Sequence, residues 1–421
     1  MAVLGCIADD FTGASDAASF LVKGGMSVRL YNGVPETTDV ETDPSNGQEE
    51  QAIVIALKSR TQEKEAAIAD TLAAAAFLKS RNVKQIYFKY CSTFDSTLKG
   101  NIGPVADALM NFTKSPYSIL CPALPVNGRI VKNGCLYVNG IPLHESHMKD
   151  HPLTPMWDAR IAELMKPQSI YPCHELTSEE LDVFPANAIP SAPCYEIPDY
   201  TTIEDGAKIA AAFWHLPLLT GGSGLLEPLA RIWIGQGSGK GLIPESATKG
   251  KALLLAGSCS KATLGQIACY QSQGKPSYKL DPKAMLEGSQ TVEDAWNYIK
   301  ENTTESETVL VYSSDSPDKV KEFQSLGMEK VASLLENALA ELAARAVQSG
   351  YTRIISAGGE TSGAVTKKLC YSSYWIGKSV APGVPIMVPT ENRNIRLILK
   401  SGNFGQEDFF ARALADTEQE S

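Results

Sequence analysis

Short apolar runs separated by longer, polar-faced segments recur along the whole chain, the rhythm expected of repeated β-α-β units. The pattern predicts strands at 3–8, 27–31, 52–56, 85–90 and 117–122, with helices over 14–23, 62–80 and 103–112. The helix over 62–80 is alanine-rich and of high intrinsic propensity, and the acidic stretch 35–50, bearing Pro and Ser, reads as solvated loop. Right-handed crossovers place these strands in one parallel sheet. From 129 to 146 the texture changes: Asn133-Gly134 and Asn139-Gly140 are hairpin signals, so a small antiparallel insertion is expected. Alternation resumes with strands at 169–171 and 216–221 around a helix near 204–214. The run Gly235-Gln236-Gly237-Ser238-Gly239-Lys240-Gly241 has no strand before it and no helix after it, so it reads as a flexible linker and not as a phosphate loop. Beyond it, strands are expected near 252, 277, 308, 353, 386 and 396, with a long amphipathic helix from about 329 to 348. The expected fold class is α/β, with two domains, 1–240 and 250–421, each a mainly parallel sheet flanked by helices.

Composition narrows the partners. Hydrophobic residues make up 43% of the 421 and charged residues 20%, and no apolar run approaches the ~20 residues that span a bilayer, so no membrane partner is expected. The first segment lacks a basic flank and reaches Asp9 and Asp10 too early for a signal peptide. Nine dispersed cysteines without a Cys-x-x-Cys argue against a disulfide framework and a zinc site, and fit a reducing cytoplasm. A net charge of −10 argues against nucleic acid. His144, His147 and His151 have helical ligand spacing, but Pro152 ends any helix there, and no metal site is expected.

The strand-to-helix turn in Arg353-Ile354-Ile355-Ser356-Ala357-Gly358-Gly359-Glu360-Thr361-Ser362-Gly363 has the layout of a phosphate cradle. Glycines let backbone N–H groups approach an anion, Thr361 or Ser362 can cap the helix, and the helix start adds about half a unit of positive charge. Two further turns have similar character: Leu255-Ala256-Gly257-Ser258-Cys259-Ser260, and Lys400-Ser401-Gly402-Asn403-Phe404-Gly405. Loops at the carboxyl ends of parallel strands line one crevice, so all three can face a single nucleotide.

In the first half, Asp9-Asp10-Phe11-Thr12 puts two carboxylates and a hydroxyl at the end of the first strand. A haloacid-dehalogenase nucleophile loop is not expected, because Ala8 stands where its nucleophile would be. Hydrogen bonding to polyol hydroxyls, or activation of one of them, is the remaining functional reading, beside plain helix capping. Lys89-Tyr90-Cys91-Ser92-Thr93-Phe94-Asp95-Ser96-Thr97-Leu98-Lys99 crowds hydroxyls, an acid and lysines into one strand-end loop; with Lys58 and Arg60 it can hold a carboxylate. His151 is a further donor to an anionic substrate.

Nearly end to end, the chain resembles the four-carbon acid sugar kinases. The anchors are Ala8-Asp9-Asp10-Phe11-Thr12-Gly13-Ala14, Asp95-Ser96-Thr97-Leu98-Lys99-Gly100-Asn101, His151-Pro152-Leu153-Thr154-Pro155-Met156, Gly358-Gly359-Glu360-Thr361-Ser362-Gly363 and Gly402-Asn403-Phe404-Gly405. The resemblance implies an N-terminal domain that binds a short sugar acid, a C-terminal domain that binds ATP, and transfer in the cleft between them to a terminal C4 hydroxyl. By position it implies nucleotide contacts at Ser258, Gly358, Gly359, Glu360, Thr361 and Gly402, and substrate contacts at Arg60, Lys89, Ser96, Lys99 and His151. Lys99 departs from the Arg of many relatives. Asp10 is the expected base, with Asp9 and Asp95 as rivals, and Mg²⁺ is expected as the counter-ion of ATP, held by phosphates and at most one carboxylate. The linker near 240 is the expected hinge of a domain closure. The resemblance implies a 3-oxo-tetronate as the acid, giving its 4-phosphate; the alternatives within the class are erythronate and threonate, which the residues themselves do not separate from it. Outside it stand a sugar-phosphate phosphohydrolase and a non-catalytic sugar-acid sensor. A homo-oligomer is compatible with the sequence and not specified by it.

Overall fold

Leu4–Ala8 (β1) is buried at every residue, and the chain passes from it almost directly into the helix Phe11–Lys23. That helix starts earlier than the hydrophobic periodicity alone indicates, because Asp10 caps it: Oδ1 accepts from the Gly13 backbone N–H at 2.9 Å. The computed structural model describes residues 2–35, 49–151, 154–184, 190–304, 308–315, 319 and 328–419; the loop expected over 35–50 lies largely outside them. The chain divides into two units, Met1–Ile243 and Pro244–Ser421.

In the first unit β1 is joined by β2 (Val28–Asn32), β3 (Ala52–Ala56), β4 (Gln85–Lys89), β5 (Ser118–Cys121), β9 (Cys173–Leu176), β10 (Tyr195–Pro198) and β11 (Leu218–Gly221). Their order is β2-β3-β1-β4-β11-β5-β10-β9, and every neighbouring pair is parallel. β1 leads to β2 on one side of the sheet and β4 leads to β5 on the other, so the winding reverses between β1 and β4. A crevice opens at such a reversal, beyond the carboxyl ends of the strands. The helix Lys64–Ser80 buries Ala67, Thr71, Ala74, Ala75, Phe77 and Leu78, a stripe at helical spacing. The antiparallel insertion is β6 (Arg129–Lys132), β7 (Cys135–Val138) and β8 (Ile141–Pro142), whose turns place Asn133, Gly134, Asn139 and Gly140 at positive φ, as two-residue hairpin turns require.

The second unit contains β12 (Ala252–Ala256), β13 (Ser277–Lys279), β14 (Val309–Tyr312), β15 (Arg353–Ala357), β16 (Ser373–Ala381), β17 (Val384–Pro389) and β18 (Arg396–Lys400). Their order is β13-β14-β12-β15-β18-β17-β16; β17 runs antiparallel to both neighbours and the other pairs are parallel. The winding reverses between β12 and β15. Leu254, Ile355, Ile398 and Phe409 share one buried cluster that fixes helices to this sheet.

Three expectations change. Residues 169–171 form no strand, because Ser169 Oγ and the Ile170 N–H donate to the Asp107 carboxylate at 2.7 and 3.0 Å and hold a turn; the strand follows at β9. β10 and β16 were unforeseen, since Glu196 and Pro198 in one, and Gly377-Lys378-Ser379 in the other, interrupt their apolar runs. The glycine-rich segment is docked at 234–241: it extends the helix Leu226–Trp233 by one wide turn, the Gly241 N–H donates to Gly25 O at 2.8 Å, and Gln51 Nε2 donates to Gly239 O at 2.9 Å. No helix among the described residues is long and apolar enough to cross a membrane.

Candidate functional site

Two clusters of candidate residues lie at carboxyl ends of strands, one in each unit. In the first unit the reversal between β1 and β4 brings Asp9, Asp10, Arg60 and Lys89 together. Arg60 grips Asp9 with two bonds, Nε to Oδ2 at 2.9 Å and Nη2 to Oδ1 at 2.8 Å, and its Nη2 also donates to Asp10 Oδ1 at 2.9 Å. Such bidentate pairing sets the orientation of both partners. Asp10 Oδ2 accepts from Thr12 Oγ1 at 2.7 Å. Lys89, the last residue of β4, is buried; its Nζ donates to Tyr90 O at 3.0 Å and stands 3.9 Å from Asp16 Oδ2. Gly13 sits between the charges: a Cβ there would fall 2.3 Å from Asp10 Oδ1 and 3.2 Å from Lys89 Nζ.

The electrostatics separate the carboxylates. Burial alone would raise the pKa of Asp10, but Arg60, Lys89, the Thr12 hydroxyl and the Gly13 amide together take it below the ordinary value, so Asp10 stays ionised. Burial keeps Asp9 and Asp16 above theirs, against the pull of Arg60 on the first and Lys89 on the second. Lys89 would lose its proton more readily on burial, yet Asp16, Asp9 and Asp10 hold it protonated. Asp10 also has the open side: its side chain is 29% exposed against 5% for Asp9.

The other candidates are more dispersed. Asp95, Arg60, Asp9 and Asn101 line one small cavity, and Asp95 Oδ1 accepts from Thr93 Oγ1 at 2.6 Å. Ser96 is buried and gives its hydroxyl proton to Gln168 Oε1 at 2.7 Å, while Lys99 and Lys58 are exposed. His151 follows two short 3-10 turns, Leu143–Glu145 and His147–Asp150, so the helical spacing of His144, His147 and His151 is not realised. Its Nδ1 accepts from the Thr154 N–H at 3.1 Å, which leaves Nε2 to carry the ring proton. Among the described residues no hydrogen bond or ion pair links His151 to the Asp9–Arg60 cluster.

In the second unit the ends of β12, β15 and β18 stand side by side. The Gly257 N–H donates to Ala357 O at 3.0 Å and the Gly358 N–H to Lys400 O at 2.9 Å, binding the three turns into one surface. Gly358, at φ +135°, leads into the helix Gly359–Leu369, whose start has no side-chain cap. Thr361 and Ser362, expected as caps, lie inside the first turn: Thr361 Oγ1 instead faces Gly257 and Gly358, and Ser362 Oγ turns toward Ser356. An uncapped helix start offers its amides to an anion. A Cβ on Gly402 would meet Ser258 Oγ at 2.3 Å, so glycine lets these turns touch. Gly359 and Glu360 are exposed at the rim.

Sequence reasoning missed one residue in each of the two clusters. Lys400 is fully buried at the end of β18, and its Nζ donates to Thr263 Oγ1 at 2.8 Å, Gly402 O at 3.0 Å and Ser401 O at 3.3 Å. Among the described residues no carboxylate pairs with it, and burial pushes its pKa down to about 7. A lysine closing the otherwise apolar run Leu397-Ile398-Leu399 was the available signal. Asp16, the other, was visible only as an acid among the buried alanines of its helix.

Comparison with known proteins follows the same division. A family model described as a sugar-binding N-terminal domain matches residues 4–229, and one described as a nucleotide-binding C-terminal domain matches 253–410. Proteins named 3-oxo-tetronate kinase are similar over almost the whole chain: that of Pseudomonas fluorescens is 41% identical, covering 98% of this chain and 96% of its own, and that of Haemophilus influenzae is 41% identical, covering 98% and 99%. Among solved structures, Haemophilus influenzae protein HI1011 aligns with a TM-score of 0.80 at 40% identity, covering 98% of this chain and 99% of its own. A Salmonella typhimurium LT2 protein, provisionally described as a tRNA synthase, aligns with a TM-score of 0.89 at 37% identity, covering 99% and 100%.

Proposed function

Since the chain belongs to the four-carbon acid sugar kinase family, we propose that it is an ATP-dependent kinase that phosphorylates the C4 hydroxyl of 3-oxo-tetronate to give 3-oxo-tetronate 4-phosphate. The carrying observation is the pair of strand-end sites: a charged, pre-paired cluster at β1 and β4, and an uncapped, glycine-lined anion cradle at β12, β15 and β18. The first suits an acceptor with hydroxyls and a carboxylate. The second suits phosphates.

In this reading Asp10 accepts the C4 hydroxyl proton as that oxygen attacks the γ-phosphorus in line. It keeps a lone-pair site on Oδ2 after its bond from Thr12, and it stays ionised. Arg60 still has its Nη1 hydrogens for the substrate carboxylate, because Nε and Nη2 are committed to Asp9 and Asp10. His151 donates through Nε2, Ser96 accepts a substrate hydroxyl, and Lys99 reaches in from the surface. Lys89 balances the buried acids and keeps Asp10 charged. In the second unit the amides at the start of Gly359–Leu369, with Ser258, Thr361 and Gly402, hold the phosphates, and Lys400 supplies the positive charge beneath them.

The residues present also fit a magnesium ion. Glu360, exposed at the rim of the cradle, is the carboxylate that would hold such an ion on the nucleotide phosphates. Bound there, Mg²⁺ would neutralise phosphate charge.

The test is ADP release in a coupled assay over a panel of four-carbon acids, including 3-oxo-tetronates made in situ, erythronate and threonate. Turnover on a 3-oxo-tetronate far above the others is expected. Turnover confined to erythronate or threonate would move the assignment to the non-oxidised acid, and no acid-dependent ADP from a protein that binds ATP would sink the kinase reading.

A further inference from the structure

Away from both strand-end clusters, the β9 edge of the first sheet carries three metal-ligating side chains on one face. The parallel register sets His174 of β9 against Glu196 of β10. Cys194 lies two residues before Glu196, and side chains alternate along a strand, so it points the same way. His174 Nδ1 is 3.3 Å from Glu196 Oε1, and Cys194 Sγ is 3.7 Å from that same oxygen. One ligand atom from each of the three lies within 4.8 Å of the others. Metal–ligand bonds of about 2.0–2.3 Å at tetrahedral angles put neighbouring ligand atoms roughly 3.3–3.7 Å apart, so little movement is needed to close on an ion.

A second observation points to the same place. Ser118 of β5 pairs with Tyr195, which sets Tyr117 level with Cys194 on that face. Tyr117 is 1% exposed, and among the described residues its hydroxyl has no hydrogen-bond partner. A buried phenol without a partner is costly. A water on a fourth coordination position would satisfy it. His174 is exposed while Cys194 and Glu196 are buried, so an ion can enter from solvent past the imidazole.

We propose that His174, Cys194 and Glu196 form a binding site for a zinc-class divalent transition metal, separate from the residues assigned to phosphoryl transfer. Thiolate, imidazole and carboxylate together select zinc or cobalt over magnesium or calcium. On binding, the Cys194 thiol gives its proton to solvent and the sulfur bonds the metal, with no change of oxidation state. The bound ion ties the edge strand β9 to the start of β10, at the place where a sheet is least protected.

The test is titration of the metal-free full-length chain with Co²⁺. A sulfur-to-cobalt charge-transfer absorbance is expected, saturating at one equivalent and abolished by Zn²⁺. Cys194→Ser should remove it, and His174→Ala, an exposed change that leaves the fold intact, should weaken binding by at least ~10-fold, the loss that even outer partners of a metal cause. Cys173→Ser, on the opposite face of β9, should leave the band unchanged. No band at one equivalent, or a band that survives in Cys194→Ser or is unaltered in His174→Ala, would overturn the site.

Discussion

The two strand-end clusters occupy equivalent topological positions and solve opposite electrostatic problems. In the first unit Asp9, Asp10 and Asp16 share two cations, Arg60 and Lys89, so each of these three carboxylates has an opposite charge beside it. In the second, the polar partners of buried Lys400 among the described residues are hydroxyl and carbonyl oxygens, with no carboxylate among them. One site is complete before any ligand arrives and can orient a hydroxyl. The other lacks a negative charge that an anion would bring, and the free protein tolerates that deficit because the lysine can shed its proton.

The comparison breaks most sharply at Asp10. Asp10→Asn should lower kcat for ADP release by about 10²–10⁴-fold, the usual worth of a general base, while Asp95→Asn costs under ~10-fold on the same scale; the reverse ranking would transfer the role to Asp95.

Next in size is Lys400→Met. It should weaken nucleotide binding by about 2 kcal/mol or more while leaving the nucleotide-free protein no less stable, because an unpaired buried charge has gone. The pH dependence carries the same signature. With its folded pKa pushed from the ordinary 10.5 to about 7, Lys400 binds fewer protons folded than unfolded between those values, so its contribution to stability improves as pH rises through that window. Nucleotide binding restores the proton, so affinity should fall above about pH 7. Calorimetry in buffers of different ionisation enthalpy should record proton uptake in the native protein and none in Lys400→Met.

A smaller effect is expected at Gly358, where φ is +135° and a Cβ would stand 3.0 Å from Thr361 Oγ1 and 3.1 Å from the Ser258 N–H. Gly358→Ala should cost about 1–3 kcal/mol in denaturant unfolding and weaken nucleotide binding without altering the affinity for the sugar acid. Ser260 caps the helix Lys261–Ser272 through the Thr263 N–H at 3.2 Å, and Ser260→Ala should cost about 0.5–2 kcal/mol.

Period and punctuation along the chain determined much of this protein. The apolar runs that became β1, β3, β4, β12, β15 and β18 are nearly uninterrupted, and the Asn-Gly pairs at 133–134 and 139–140 specify hairpins by backbone sterics, so their placement is local physics. The carboxylates after β1 and the glycines after β15 were equally legible, because α/β folds put ligands at strand ends. β10 and β16 escaped because their strand character comes from neighbouring strands and not from their own composition. The Gly-rich segment looked free because nothing local announces that Gln51 and Gly25 hold it. Only the tertiary structure decided that Lys400 meets no counter-charge among the described residues, that Asp16 lies against Lys89, and that His174 meets Glu196 across two strands. Each depends on which residues a sheet brings side by side from distant parts of the chain, and burial then sets their charge states; neither property exists in a sequence until the strands are paired.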